Sequence, residues 1–283
     1  MSTELEKPYT VIVTNSDWEI ATHIAGPFLH DLAERFNYKW DTIELRGSLD
    51  VYNNYIKVFK EGKTRLHFGC GHGAPPLYTG WQNRILQWTQ YQTVWGKDIK
   101  PEYVRGAIHY LLSCLTAQML GKYLVDVGGS AYIGWYKEYK LVVGNKDDPY
   151  NDPYAKSTVR YTGLAGLDIL IEGGTVGEAE AHLKKKFKEY YEAWKDKNPM
   201  IAGVIAWNME GLRVYGDRNA RLPEPEKDSE PPPLPGDYDI EVNIKGKTVK
   251  KETQHTFYGI PIKVEYEIRI PDRKGKGSAT STS

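Results

Sequence analysis

LHFGCGHGAPPLYTGW, Leu66 to Trp81, is the stretch on which the fold turns. It opens as a short apolar run and stops at a histidine followed by glycine, His72-Gly73. A counterpart, AIHYLLSC, runs from Ala107 and ends in a thiol, Cys114. Continuous apolar runs closed by turn residues suit the interior of a parallel sheet. In such sheets the carboxyl ends of the strands open into the ligand crevice. Two neighbouring strands that bring an imidazole and a thiol to one rim make a Cys–His nucleophilic site.

The flanking sequence supports an α/β class. Tyr9 to Thr14 reads as a strand, and Ser16 to Glu19 has capping-box spacing. Ile20, Ile24, Phe28, Leu32 and Phe36 then recur at helical spacing as far as Asn37, with a kink expected at Pro27. A strand over Tyr38–Leu45, a helix over Ser48–Lys60 and a strand over Arg65–Cys70 complete a βαβαβ alternation. Within the aromatic connection Ala74–Lys100, Arg84–Gln90 is expected to be a short helix. A fourth strand, Ala107–Ser113, follows, and Cys114 is expected to open a helix to Val127. Ser130–Trp135 is the fifth strand. Helices are expected over Thr158–Glu172 and, from a second capping box at Thr175–Glu178, beyond it; Met200–Trp207 reads as the last strand.

Residues 1–221 would then form the main domain. Leu222–Gly236 (LPEPEKDSEPPPLPG) is rich in proline and acid and reads as a stiff linker. Tyr238–Ile244 and Ile262–Ile270 read as strands of a small β appendage over 237–272, with Lys247–Lys251 adding to a hairpin; 273–283 reads as a disordered tail.

Lys plus Arg and Asp plus Glu both number 37, which argues against nucleic-acid binding driven by bulk charge. The first residues do not read as a signal peptide and no apolar run is long enough to span a membrane, so a cytoplasmic protein is expected. Two cysteines make no disulfide framework, and neither CxxC nor HExxH is present to suggest zinc.

At the site, three things would raise the reactivity of Cys114. A helix dipole beginning at the thiol favours the anion. His72 would accept its proton or protonate a departing amine. The N–H groups of Gly73 and of Cys114 itself would face the oxygen of a tetrahedral intermediate. Singly, a buried cysteine is more often an inert hydrophobe and a histidine after a strand more often structural. The pair is the stronger signal.

An apolar block ending in His-Gly, then a second ending in Cys, resembles the caspase-like (clan CD) cysteine peptidases, and within them the gingipain and CHAT branch. GHG at Gly71–Gly73 and LLSC at Leu111–Cys114 match the two motifs. GGSAYIGW (128–135), the helix start in EGGTVGEAEAHLKKKF (172–187) and VYGD (214–217) look like later family segments, with Arg218 in place of a proline. The 42-residue step from His72 to Cys114 is near the about 50 of caspases. The chain departs from caspases in carrying LSC where they have QAC.

The resemblance implies a three-layer sandwich around a mainly parallel six-stranded sheet. It also implies a cysteine endopeptidase with a His72–Cys114 dyad and no metal in the chemical step, acting on a protein or peptide partner or on itself. Asp17, just past the first strand, would read a Lys or Arg side chain in the pocket, or is simply an acid in a first helical turn. Trp135 would form a pocket wall, or belongs to the core. Asp147, Asp148 and Asp152 would hold structural calcium, as in some relatives, or lie in a solvated loop. Cys70 would inactivate the site by a disulfide to Cys114 if its side chain reaches it. The alternative function is a catalytically weak or inactive scaffold, assembling through its C-terminal strands. A small-molecule Cys–His hydrolase has no supporting motif.

Overall fold

The computed structural model describes residues 9–89, 101–224, 248–257 and 260–269. The first strand, β1 (Thr10–Asn15), is followed by α1 (Ile20–Asn37), β2 (Asp41–Arg46), α2 (Tyr52–Phe59) and β3 (Thr64–Cys70). A small antiparallel meander comes next: β4 (Gly73–Ala74), β5 (Leu77–Thr79) and β6 (Ile85–Trp88). Then follow α3 (Pro101–Val104), β7 (Ile108–Leu112), α4 (Leu120–Asp126) and β8 (Ala131–Trp135). The unit closes with the short α5 (Pro153–Ala155), α6 (Gly166–Ile171), α7 (Val176–Trp194), α8 (Pro199–Gly211) and β9 (Leu212–Gly216).

Six strands form one sheet in the order β2-β1-β3-β7-β8-β9. Every neighbouring pair is parallel except β8–β9. The parallel strands are buried on both faces. Val11, Phe68, Tyr110 and Ile133 pack on one side with α1, α6, α7 and α8. Ile12, Leu111 and Tyr132 face the other side, against α2, α4, Tyr78 and Leu86. The result is the three-layer α/β sandwich with a mainly parallel six-stranded sheet that the resemblance implied.

Several elements differ from expectation, each for a local reason. The first helix is capped by Glu19 with Thr22, not by Ser16 with Glu19, and runs on through Pro27. Arg84–Gln90 contains strand β6 instead of a helix, because Leu77 and Tyr78 pair with Trp88 and Gln87. Met200–Trp207 is helical, not a strand: Asn198 accepts from the Ile201 N–H and Pro199 supplies a preset first-turn φ. The sixth strand is β9 instead. Over 158–172, a π-turn at Lys156–Arg160 and a further turn precede α6. The capping box at Thr175 and Glu178 forms as expected.

Packing continues past residue 221, where Leu222 is buried and the Trp40 indole N–H donates to the Pro223 carbonyl (3.1 Å). Residues 232–283 form a separate unit. In it β10 (Thr248–Phe257) and β11 (Ile260–Arg269) pair antiparallel from Thr248↔Arg269 to Phe257↔Ile260. Strand β10 starts where the extra hairpin residues were expected. The expected strand at 238–244, the tail and most of the linker lie outside the described residues. Among the described residues no helix is long and apolar enough to cross a membrane.

One ion cluster ties the helical layer together. Asp168, in the first turn of α6, accepts from Arg160 at 2.9 Å through both oxygens and from Arg35 of α1. Burial pushes its carboxyl up, but the hydrogen bonds and charge of Arg160, then Arg35, outweigh burial and hold it below the ordinary range. A depressed folded value gives stability that is complete above the unfolded value, about 3.9, and is lost as pH falls through the folded one. Asp168→Asn is therefore expected to cost about 2 kcal/mol at neutral pH and to flatten the acid limb of denaturant-derived stability. An unchanged acid limb would rule the cluster out as its source.

Candidate active site

Register brings the strand ends that lead to His72 and Cys114 to one level. Cys70, the last residue of β3, is paired with Leu112, the last residue of β7. His72 and Cys114 each lie two residues farther along neighbouring parallel strands, at the carboxyl rim of the sheet. Glycine makes this proximity possible. A Cβ on Gly73 would be driven into Ser113 Oγ and the Cys114 carbonyl oxygen, and one on Gly71 into the Thr79 carbonyl. The His72 carbonyl is pinned by the N–H (2.9 Å) and hydroxyl (3.2 Å) of Thr79.

That bond also orients the next peptide. In an antiparallel ladder hydrogen-bonded and non-hydrogen-bonded pairs alternate. With Thr79 bonded to His72, the following pair, Gly73↔Tyr78, is the non-bonded one. The Gly73 N–H is then directed away from β5. The Cys114 N–H has no backbone acceptor among the described residues.

The His72 ring is 45% exposed, and its Nε2 lies 3.2 Å from Glu19 Oε1. Trp18 meets it edge-on, with ring centroids 6.5 Å apart. Glu19 is held in place as the cap of α1, where the same oxygen accepts from the Thr22 N–H (3.0 Å). Sequence reasoning gave this histidine no third partner. Glu19 was visible only as part of a helix start, because its contact with His72 crosses 53 positions of chain.

Cys114 is half-buried and its S–H points to the Tyr139 carbonyl, 3.9 Å away. It does not open a helix. Leu115 takes a left-handed φ of 62°, a 3-10 turn follows at Thr116–Gln118, and α4 begins only at Leu120. The expected dipole assistance at the thiol is therefore absent. Burial pushes the Cys114 thiol up, and the Glu138 charge adds to this. The resting group is a thiol, and forming the thiolate depends on a base beside it.

The segment after β8 forms the wall next to Cys114. Lys137 accepts from the Leu115 N–H (3.2 Å) and Tyr136 from the Gln118 amide (2.9 Å). From α8, Asn208 brackets both backbone groups of Lys140 (2.9 and 2.6 Å), while the Trp207 indole donates to the Glu138 carbonyl (2.7 Å). Trp135 is not part of this wall. It is fully buried, donates to the Asn208 carbonyl (2.9 Å) and stacks edge-on with Tyr139, so a ring with no open face cannot line a pocket.

Asp17 is already engaged: Arg46 donates to one oxygen (3.1 and 3.2 Å) and His23 lies 2.7 Å from the other. Asp152 accepts four backbone N–H groups, from Gly144, Asn145, Tyr154 and Ala155, at 2.8–3.0 Å. Asp148 accepts from Asn151. Two of the three carboxylates expected to hold calcium, Asp148 and Asp152, thus accept hydrogen bonds from the loop itself. Cys70 is free, buried in the core and pushed far up by burial; its coupling to Cys114 is electrostatic.

No protein-family model and no curated protein matches this chain. Among solved structures, it is similar to the complex of Porphyromonas gingivalis RgpB pro- and mature domains, at 12% identity and a TM-score of 0.44, over 77% of this chain and 49% of that one. The chain thus spans about half the length of that structure, and an overlay this loose says nothing about the site.

Proposed function

We propose that the chain is a cysteine peptidase whose nucleophile is Cys114 and whose general base and acid is His72. The supporting observation is the register of β3 and β7, which sets both residues two steps past the paired Cys70 and Leu112. With the Glu19 carboxylate 3.2 Å from Nε2, the proton of the neutral ring is favoured on that nitrogen, which leaves Nδ1 as the basic nitrogen of His72. Nδ1 takes the Cys114 proton as the sulfur attacks the scissile carbonyl carbon. The oxygen becomes an oxyanion, stabilised by the N–H groups of Gly73 and Cys114. Collapse breaks the C–N bond, and His72 returns the proton to the departing amine. Water, deprotonated by His72, then hydrolyses the thioester.

The raised Cys114 thiol is the one observation that favours a weak or inactive scaffold. A combinatorial peptide library with mass-spectrometric product detection separates the two. Reproducible cleavage at defined bonds supports the peptidase, and an uncleaved library supports the scaffold.

In the peptidase, Glu19 orients the ring. Glu19→Gln keeps a capping oxygen but loses the charge. It is expected to lower kcat about 10- to 100-fold while costing under about 1 kcal/mol of stability. Equal loss of kcat and of folded protein would reduce Glu19 to a helix cap.

A further inference from the structure

The wall beside Cys114 carries a pair of cations that the hydrolytic steps do not use. Lys137 and Lys140, on the segment after β8, both bring their ammonium groups over one ring, the indole of Trp207 in α8, at 4.4 and 4.2 Å from its centroid. These contacts are well inside the about 6 Å at which the face of an aromatic ring attracts a cation. The indole is itself fixed by donating to the Glu138 carbonyl (2.7 Å), and Asn208 holds both backbone groups of Lys140. Helix α8 thus keeps in place the segment that carries both charges.

Two ammonium groups over one ring at these distances lie within about 9 Å of each other, close to the Debye length of physiological salt, so their repulsion is only partly screened. Their counter-charge is incomplete. Lys137 pairs with Glu210 at 2.7 Å, whereas Lys140 has no carboxylate within ion-pair distance among the described residues. The same Glu210 is within electrostatic range of Arg213, which lies over the exposed Tyr136 ring at 5.3 Å, so one carboxylate serves two cations.

The segment also touches the nucleophile. Leu115 donates to the Lys137 carbonyl and the Cys114 S–H points to the Tyr139 carbonyl. The Lys140 ammonium is therefore within about four residues of extended peptide, at about 3.3 Å each, from the sulfur. Glu138 is exposed and close enough to Cys114 to act on it electrostatically. Its charge disfavours an acid at the scissile bond itself, but an acid a few residues away meets the lysines.

We propose that Lys137 and Lys140, mounted on Trp207, form a subsite for the carboxylate side chain of an Asp or Glu lying two to four residues from the bond that is cut. The arriving carboxylate supplies the counter-charge that Lys140 lacks and relieves the repulsion between the two ammonium groups. The subsite rests on the peptidase reading for its place in the substrate, whereas recognition of the anion itself does not need the chemistry.

The test uses the full chain and pools of acetylated octapeptides in which one position is fixed as Glu or as Gln. At about 50 mM salt, one position two to four residues from the cleaved bond is expected to give a kcat/KM about three- to tenfold higher for Glu than for Gln, the size of one or two part-exposed ion pairs. Lys140→Gln is expected to bring that ratio close to one and Lys140→Glu to invert it. Glu210→Gln, which removes the competitor for Lys137, is expected to raise it about twofold. A ratio below about two at all of these positions, one unmoved by Lys140→Glu, or one lowered by Glu210→Gln overturns the subsite. If no pool is cut, the peptidase reading has failed, and fluorescence anisotropy of the same pools, labelled, on Cys114→Ala protein decides. Binding of a Glu pool at least about threefold tighter than its Gln counterpart, lost on adding Lys140→Glu, keeps the anion site, and equal binding of the two overturns it.

Discussion

Cys114→Ala is expected to lower hydrolysis of any cleaved peptide by at least about 10³-fold while leaving the fold intact. The side chain is only half-buried, and its one hydrogen bond among the described residues is a long S–H contact to the Tyr139 carbonyl, so removing the sulfur costs little stability. The chemistry has no substitute for it. Cys70 sits two residues short of the rim, buried in the core, and burial holds its thiol protonated. Iodoacetamide should accordingly label Cys114 in the native protein and leave Cys70 unmodified until unfolding. Residual hydrolysis at more than about a tenth of the parent rate would remove Cys114 from the mechanism.

Gly73→Ala should be nearly as damaging, by a different route. The added methyl would enter space held by Ser113 Oγ and the Cys114 backbone oxygen, and neither is the free end of a flexible side chain. The two strand ends must separate, which displaces His72 from Cys114 and turns the Gly73 N–H away from the developing oxyanion. A shift of about 1 Å costs about 10²-fold in rate, and losing an oxyanion donor costs about 10²- to 10³-fold. Overpacking here should also cost about 1–3 kcal/mol of stability. Kinetics at matched folded fraction separate the two effects. Parent-like kcat in Gly73→Ala would show that the strand ends need not touch.

The strands that deliver His72 and Cys114 were legible because each is a short apolar run closed by a turn, a pattern that needs no tertiary knowledge. The antiparallel β9 and the helical α8 were not. MIAGVIAW is apolar on every side and so carries no clear period, and only the Asn198-Pro199 start distinguishes helix from strand. The missing helix at Cys114 follows from one residue, Leu115, whose left-handed backbone propensity rules do not foresee. Glu19 and His72, or Asp17 and Arg46, meet through the crossover of α1 and β2. Pairings of that kind exist only once the sheet order is set. Trp135 was misplaced for a related reason: a strand pattern shows that a residue is buried, not which neighbour covers it.

Everything proposed for hydrolysis depends on His72 acting on Cys114. The direct measurement is intact-protein mass spectrometry after exposure to a set of peptidyl acyloxymethyl ketones, with the adduct mapped by digestion. One adduct is expected, on Cys114, forming at least about 10²-fold more slowly in His72→Ala. An adduct on Cys70, equal labelling in His72→Ala, or no adduct with any of the probes would contradict the account.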